Sequence, residues 1–382
     1  MADSTGSVNH TRNILLLHSE ISPYRIPLFN ALGTEIDLDV AFCTQSGTDR
    51  YWEESLDSDH RFTATVLRNY NLHGLVVNPA VQNELDVSQY DAVILDDDPR
   101  ITLTRVALVI AAKYHDVPVI VWSGRTDRGY YDRGNQIAAV FLSPLCRLTY
   151  FFTDHFIAYS QDTSVYLQSC GVAPRDIKIG TQVISQELTN AVDPERYRKL
   201  TTEFDDNDCI FLFLGYFSER KGVHDVINAF NRIDDERAQL VVAGAGENEE
   251  RLFELGNDNS RIHFPGYLSR EAKATYLQLA DVLVLPSYND PWGLVINEAM
   301  LFGLPIITTH SVGARELITD NGILIEAGDV YALHQSLEEL LTNPDKRKQM
   351  GVQSKETIEE YNLCMATDTF VSAIESAVNE SE

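Results

Sequence analysis

Two carboxylates and a glycine lie in one short stretch, where an apolar run gives way to a helical pattern. The stretch is LPSYNDPWGLVINEAMLFG over residues 285–303, with a strand predicted before it and a helix predicted from Gly293. Asp290 precedes the helix and Glu298 lies within it. Helix starts attract phosphate, and carboxylates accept hydrogen bonds from neighbouring hydroxyls. The stretch indicates a sugar-nucleotide pocket, although an N-cap aspartate and a partly buried helix glutamate would look the same.

Two cations occupy a second strand-to-helix turn. The strand predicted over 209–215 leads into YFSERKG, and VHDVINAFNRI then has the apolar spacing of a helix. Arg220 and Lys221 therefore follow the carboxyl end of a strand, where open α/β sheets bind ligands. Two cations beside free N–H groups suit a diphosphate, whose charge grows as a glycosyl bond breaks. A solvated basic pair is the alternative interpretation.

These stretches resemble a known family. Residues 285–303 resemble the E-x7-E signature of the retaining family 4 (group 1) GT-B glycosyltransferases, with Asp290 in place of the first glutamate. The resemblance extends to FLFLGYFSERKGVHDVINAF (211–230) and GLPIITTHSVGARELI (303–318). It implies an α/β GT-B fold, in which two Rossmann-like domains with parallel sheets face each other across a cleft. It also implies a C-terminal helix that crosses back to the first domain.

The resemblance assigns roles to residues of this chain. Lys221, Asp290 and Glu298 would be catalytic, with Glu298 on the ribose hydroxyls and Asp290 on the donor sugar. Tyr216 stands where the family has an arginine, and Arg220 would replace part of that charge. The implied donor-binding residues are Gly215, Tyr216, Arg220, Trp292, Gly293, Leu294 and Glu298. No cofactor and no metal is implied, since the nucleotide-diphosphate sugar is a substrate.

Three arginines of the N-terminal half are acceptor-side candidates. Arg25 lies in a turn, SPYRIPLF, of a kind that borders the cleft in the resembling family. Arg125 and Arg128 follow a predicted strand and would hold a phosphate of a lipid-linked acceptor or an anionic sugar. Salt bridges to surface acids are the alternative. Ser123 stands where the family usually has a histidine, which leaves the role of a general base open.

Two further stretches resemble motifs that have other functions. VVAGAGEN (241–248) begins like a dinucleotide fingerprint, but Glu249 replaces its third glycine. Its glycines are instead predicted to allow a tight turn. The triplet DDD over 96–98 resembles a D-x-D metal motif, yet it precedes Pro99 and a helical pattern. Acids that cap this helix explain the triplet better than Mg²⁺ or Mn²⁺ ligands do.

Parallel sheets must position these residues. Short apolar runs alternate with helical patterns from residue 13 to residue 160, and the rhythm restarts at residue 209. We predict an acceptor-side Rossmann-like domain over 1–187 and a nucleotide-sugar-binding domain over 188–356. A crossover helix and tail are predicted over 357–382. A chain of 382 residues is long enough for two such cores.

Composition limits the class of function. The chain has 57 acidic and 30 basic residues, a formal net charge of −27, which argues against nucleic-acid binding. Such a surface suits a cytoplasm of very high salt, and we expect a halophilic, haloarchaeal-like source. Five scattered cysteines indicate a reducing compartment. No signal peptide or membrane span is predicted, so we expect a cytoplasmic location.

The segment IAAVFLSPLCRLTYFF (137–152) is apolar and aromatic. It is predicted either as a helix buried against the first sheet or as one lying at a membrane interface. Peripheral contact with the inner face of the membrane follows from the second interpretation.

The resemblance implies transfer of a hexose-type sugar to a hydroxyl acceptor. The acceptor would be a lipid-linked or polymeric glycan, as in glycan biosynthesis or protein glycosylation. The alternatives are a sugar-nucleotide epimerase of the same fold and a non-catalytic nucleotide- or carbohydrate-binding module.

Overall fold

The computed structural model describes residues 12–45, 60–72, 74–127, 144–180 and 182–381. The strands of the first half are β1 (Asn13–Glu20), β2 (Asp37–Thr44), β3 (Thr63–Val66), β4 (Tyr70–Leu72), β5 (Leu75–Val77), β6 (Ala92–Asp96), β7 (Val119–Ser123), β8 (His155–Ala158) and β9 (Ile177–Ile179). Its numbered helices are α1 (Ile26–Leu32), α2 (Val81–Glu84), α3 (Thr102–Tyr114) and α4 (Gln161–Ser169), and residues 144–150 are also helical.

The second half has strands β10 (Cys209–Leu214), β11 (Ala238–Ala243), β12 (Ile262–Gly266), β13 (Val282–Leu285), β14 (Ile306–Thr309) and β15 (Gly322–Ile325). Its helices are α5 (Pro194–Leu200), α6 (Val223–Phe230), α7 (Glu249–Gly256), α8 (Arg270–Leu279), α9 (Leu294–Leu301), α10 (Val330–Thr342) and α11 (Pro344–Glu360), and the last helix is α12 (Leu363–Ser381). Every residue of β10 is buried, as expected for a strand covered on both faces.

Two parallel sheets form the frame of the described chain. The first has the strand order β3-β2-β1-β6-β7-β8-β9, and the second has the order β12-β11-β10-β13-β14-β15. All of these neighbours are parallel, whereas β4 and β5 form a separate antiparallel pair. The predicted α/β class with two Rossmann-like halves is therefore confirmed.

Each sheet has a crevice beside its first strand. In the first sheet β1 lies between β2 and β6, and in the second β10 lies between β11 and β13. After β1 and β10 the chain crosses towards one edge of the sheet, and after β6 and β13 it crosses towards the other. The loops at the carboxyl ends of β1 and β6, and of β10 and β13, therefore separate, and such sheets bind ligands in the crevice between them. Lys221 follows β10 and Asp290 follows β13, so both lie at the crevice of the second sheet.

The carboxyl edges of the two sheets face each other. The backbone N–H of Gln161, just after β8, donates to Oε1 of Glu316, which follows β14, over 2.6 Å. Nη2 of Arg315 lies 2.7 Å from Oδ1 of Asp162 at the same place. The loops that carry the site residues of the two domains therefore border one cleft.

The last helix completes the core of the first domain. Buried residues of α12 pack in one cluster with residues of β1, β6 and β7. The ring of Phe370 meets that of Trp122 edge-on, with the ring centroids 5.0 Å apart. Residues 357–360 still belong to α11, whose Ile358 is part of the second core.

The described part of the apolar segment, 144–152, has two faces. Cys146, Thr149 and Tyr150 are buried in the first domain, whereas the apolar side chains of Leu148, Phe151 and Phe152 are exposed. Residues 137–143 of the segment lie outside the described residues. Among the helices that the structure describes, none has the length and apolar character needed to cross a membrane.

We expect Phe370→Ala to lower the free energy of unfolding by about 3–5 kcal/mol, because a buried ring is replaced by a cavity. Urea unfolding followed by circular dichroism measures the change. The control is Val352→Ala on α11, where the side chain is 53% exposed and the change should stay within about 0.5 kcal/mol. Equal losses in the two variants would show that α12 does not stabilise the first core.

Candidate functional site

Lys221 and Asp290 form a buried ion pair at the crevice of the second sheet. Nζ of Lys221 lies 2.5 Å from Oδ2 of Asp290, and the two side chains are 15% and 10% exposed. Lys221 ends the 3-10 turn Glu219–Lys221 after β10, and Asp290 lies in the loop after β13. The two residues, 69 positions apart in sequence, meet because β10 and β13 are neighbouring strands.

Two glycines allow the loops to approach so closely. Gly222 has φ +68°, and a Cβ there would come within 2.4 Å of the backbone oxygen of Pro286. The turn that carries Lys221 therefore presses directly on the end of β13. Gly293 has φ +91° and begins α9, and a Cβ there would come within 2.9 Å of Cγ1 of Val312. A side chain at either position would force these loops apart.

Backbone hydrogen bonds fix the loop that carries Asp290. The N–H of Asp290 donates to the oxygen of Ser311 over 3.2 Å, and its own oxygen accepts from Gly313 over 3.0 Å. The N–H of Ala314 donates to the oxygen of Trp292 over 2.7 Å. The loop after β13 is thereby joined to the loop after β14, and the carboxylate is held in place.

The carboxyl group of Asp290 is kept charged by its surroundings. Burial alone would raise its pKa, but the cations of Lys221 and Arg220 hold the pKa below its ordinary value. A hydrogen bond from Lys221 and the nearby N–H of Trp292, 3.4 Å from Oδ1, act in the same direction. The site therefore combines a charged acid with two cations beside a helix start.

Arg220 and the first glycine loop lie beside the pair. Nη1 of Arg220 donates to the oxygen of Asn289 over 2.6 Å. The loop of Gly215 and Tyr216 meets the loop of the 241–248 motif, because a Cβ at Gly244 would come within 1.9 Å of the oxygen of Gly215. The glycines of that motif thus serve close packing of two loops.

Glu298 has a partner that sequence reasoning missed. It lies one turn into α9, and its Oε1 accepts a hydrogen bond from Nζ of Lys273 on α8. The Glu298 side chain is 12% exposed and that of Lys273 29%. Nothing in the spacing of Lys273 marks it, since the partners lie 25 positions apart with β13 between their helices. Leu294, Gly293 and Trp292 lie between Asp290 and Glu298 at the start of the same helix.

Arg125 lies in a buried cluster around Asp97. Its Nε is 3.3 Å from Oδ1 of Asp97, and its Nη2 donates to Sγ of Cys146 over 3.1 Å. Arg105 also donates to Asp97, whose second oxygen accepts from Ser123 over 2.7 Å. Burial would raise the pKa of Asp97, but the two arginines hold it below its ordinary value. This geometry favours the salt-bridge interpretation of Arg125, with an internal acid as partner.

The acceptor-side role of Arg25 stays a prediction, and its guanidinium is buried. The guanidinium carbon lies 4.3 Å from the ring centre of Trp122 and 5.3 Å from that of Tyr159. Its Nη1 donates to Oε1 of Gln182. Arg128, the third acceptor-side candidate, lies outside the described residues.

The acidic triplet has structural roles. Oδ1 of Asp98 accepts from the N–H of Arg100 over 2.8 Å, so the predicted cap is confirmed for this residue. Asp96 accepts from the N–H of Ser19 over 3.1 Å, and burial together with Asp98 raises its pKa to about 6. No group of three His, Cys, Asp or Glu residues suited to a metal occurs in the part of the chain that the structure describes.

The comparison with known families concerns the half of the chain that holds this pair. Residues 198–357 match the family model of glycosyl transferases group 1. The chain is also 27% identical over 173 residues to the lipopolysaccharide core biosynthesis glycosyltransferase LpsE of Rhizobium meliloti, covering 44% of this chain and 50% of that protein. It is 29% identical over 201 residues to a GDP-mannose-dependent phosphatidylinositol monomannoside mannosyltransferase of Corynebacterium glutamicum, covering 47% and 53%.

The match to these relatives spans about half of their length. The structural likeness is wider. The structure of Anabaena Alr3699/HepE in complex with UDP aligns with a TM-score of 0.74 at 19% identity, covering 95% of this chain and 100% of that one. The lipopolysaccharide glycosyltransferase WaaG aligns with a TM-score of 0.69 at 18% identity, covering 94% and 99%. These likenesses confirm the GT-B fold.

We expect Lys221→Met to lower the free energy of unfolding by about 3–5 kcal/mol at neutral pH, because it leaves the buried carboxylate of Asp290 without its nearest cation. In the wild type the depressed pKa of Asp290 contributes stability that is lost as the pH falls below the ordinary value of 3.8. The difference between variant and wild type should therefore shrink at acid pH. Urea unfolding across pH measures both effects.

Lys346→Met is the control for this experiment. It breaks an ion pair with Glu339 in which the two side chains are 38% and 46% exposed. Its loss should stay below about 1 kcal/mol. A Lys221→Met loss no larger than that would contradict the buried pair.

Proposed function

We propose that the protein is a retaining glycosyltransferase that moves a hexose-type sugar from a nucleotide-diphosphate sugar to a hydroxyl acceptor. The observation that carries the proposal is the buried Lys221–Asp290 pair, with Arg220 beside it, at the crevice of the second sheet. The pair lies inside the stretch that matches the glycosyltransferase family model. Cations at this place suit a diphosphate.

The donor fits the charges of the site. Lys221, Arg220 and the first N–H groups of α9, after Gly293, would hold the diphosphate. Asp290 would accept hydrogen bonds from the donor sugar, and Glu298 from the ribose. When phosphate arrives, the ammonium of Lys221 would be shared between the phosphate and Asp290. The cations then stabilise the charge that develops on the leaving diphosphate.

No side chain is assigned as general base in this proposal. Ser123, which stands where the resembling family usually has a histidine, donates to Asp97 and is buried. In a front-face retaining reaction the leaving phosphate takes the acceptor proton. Positioning of donor and acceptor then supplies much of the acceleration.

We propose a lipid-linked or polymeric glycan as acceptor, reached at the inner face of the membrane. One relative is named for lipopolysaccharide core biosynthesis, and another acts on a phosphatidylinositol mannoside. The net charge of −27 supports a halophilic source, where dissolved salt screens such a surface.

An exposed apolar ridge on the first domain supports membrane contact. Helix α3 and the 144–154 stretch run side by side, since Thr102 meets Cys146 and Lys113 pairs with Asp154. We define the ridge by their exposed apolar side chains: Leu103, Ile110, Tyr114, Leu148, Phe151 and Phe152. Aromatic and aliphatic side chains of this kind insert at the boundary of headgroups and acyl chains.

Glu298→Gln tests the donor site. A thermal-shift screen of nucleotide sugars identifies the donor, because a bound ligand stabilises the fold by mass action. We expect the Kd of that donor, measured by calorimetry, to rise about 10- to 100-fold in Glu298→Gln, since a hydrogen bond to a charged group is lost. The control is Glu338→Gln, whose side chain is 54% exposed on α10, and its Kd should be unchanged.

The products decide the reaction type. Nucleotide release that depends on an acceptor, with the donor's anomeric configuration kept in the product, supports the proposal. Nucleotide release without an acceptor would indicate an epimerase. Saturable binding without turnover would indicate a binding module.

Flotation with phosphatidylcholine vesicles tests the ridge. We expect the wild type to float and the double variant Phe151→Ser, Phe152→Ser to bind at least about tenfold more weakly, because two inserted rings are lost. The matched control removes two exposed apolar side chains of the second domain, Tyr331→Ser and Val352→Ser, and should float as the wild type does. Equal flotation of both double variants would reject the ridge as the contact.

A further inference from the structure

A chain of buried polar contacts runs from the first domain to the loop that carries Asp290. It begins at Arg25, whose Nη2 donates to Oη of Tyr159 over 3.1 Å while the guanidinium lies over Trp122. Nη1 of Arg25 donates to Oε1 of Gln182. The first domain thus holds the side chain of Gln182.

Gln182 belongs to the linker between the two domains. It lies between β9, at the edge of the first sheet, and the 3-10 turn Gln186–Ala191, which packs on α9 of the second domain. It is fully enclosed, with 1% of its surface exposed. Its backbone oxygen accepts a hydrogen bond of 2.9 Å from Nδ2 of Asn297. At Gln182 the linker is therefore bonded to the first domain through its side chain and to the second domain through its backbone.

Asn297 connects these polar contacts to the donor side of the cleft. It is 0% exposed, and its Oδ1 accepts from Nε1 of Trp292 over 2.8 Å. Trp292 lies two positions after Asp290, and its backbone N–H points to Oδ1 of that acid. Asn297 also directly precedes Glu298 on α9. One amide thus contacts both the linker and the segment that carries the two carboxylates.

Packing alone does not require an amide at this position. The neighbours of Asn297 on α9, Ile296, Ala299 and Met300, are buried and apolar. A leucine would fill a similar volume without the cost of burying polar atoms. A buried polar group whose donor and acceptor are both satisfied selects one arrangement of the elements that it joins. Here the elements joined are the linker and the loop of Asp290.

We propose that Asn297 is a positioning residue for the transfer reaction, which fixes the first domain, through Gln182 and Arg25, relative to the donor loop. This inference rests on the proposed function, because the geometry that it sets is the approach of the acceptor side to the donor sugar. Other described contacts across the cleft are more exposed. They include the bond from the N–H of Gln161 to Glu316 and the pair of Arg315 and Asp162, whose side chains are 25% and 31% exposed. Salt weakens such an exposed pair far more than it weakens the buried chain.

Asn297→Leu is the first test. We expect kcat to fall about 10- to 100-fold, because a small misplacement of the reacting groups has an effect of this size. The Kd of UDP, or of GDP if the screen selects a guanosine donor, should stay within about twofold, since the phosphate-binding groups are untouched. Trp292→Phe removes the N–H donor to Asn297 together with part of the indole ring, leaves Asn297 in place, and should shift kcat in the same direction, by less.

Asn321→Leu is the matched control. Asn321 is also 0% exposed and lies in the same domain, but it directly precedes β15 and therefore lies at the amino ends of the strands, away from the cleft. Its Oδ1 accepts from the N–H of Thr319 over 2.8 Å. The control should lose stability comparable to that of Asn297→Leu while kcat is kept. An equal fall of kcat in both variants would overturn the positioning role.

Hydrogen exchange tests the connection without any activity. In Asn297→Leu we expect faster exchange of backbone amides in 183–185 and also in 25–29 of the first domain, and no such change in Asn321→Leu. Faster exchange confined to the second domain would overturn the inference. An inactive wild type would count against the proposed function alone, because this readout still reports whether Asn297 holds the two domains together.

A double-mutant cycle of Asn297→Leu with Arg25→Met tests whether the two residues act together. Arg25 and Asn297 lie in different domains and are joined through Gln182. If they act through that residue, the kcat loss of the double variant should be clearly smaller than the product of the two single losses. Independent effects that multiply would overturn the proposed chain.

Discussion

The buried ion pair of Lys221 and Asp290 is the interaction on which the rest of the site depends. Two charges removed from water are tolerated only when they face each other closely. That closeness requires β10 and β13 to be neighbours, Gly222 to lie against Pro286, and the loop after β13 to be tied to the loop after β14. The parallel sheet, the glycines and the loop contacts are thus parts of one arrangement that brings a cation and an acid together.

Local pattern predicted the frame and the residues of this pair. The apolar runs at 209–215 and 281–286 became β10 and β13, and their strand-to-helix turns carry Arg220, Lys221 and Asp290. The pattern did not predict β3, whose four residues are exposed and include one large apolar side chain, that of Val66. It also left open what Arg125 binds, because the acid that it meets, Asp97, lies 28 positions away in a core that only the folded sheet creates.

The contacts between the two domains could not be predicted from the sequence for a related reason. Asn297 and Gln182 are 115 positions apart, and neither has a spacing or charge pattern that marks it. Within the second domain, Lys273 and Glu298 likewise meet although β13 lies between their helices in sequence. Periodicity reports which face of an element is buried. It does not report which polar side chains of two separate faces meet.

The placement of α12 has a consequence for how the protein is made. Synthesis proceeds from the N-terminus, and domains usually fold in that order. Here the hydrophobic cluster of the first sheet includes Phe370 and its neighbours on the last helix. Until α12 has been synthesised, one apolar face of the N-terminal sheet stays uncovered. The C-terminal domain can reach its native state before that. We therefore expect the N-terminal domain, which is synthesised first, to complete its folding last.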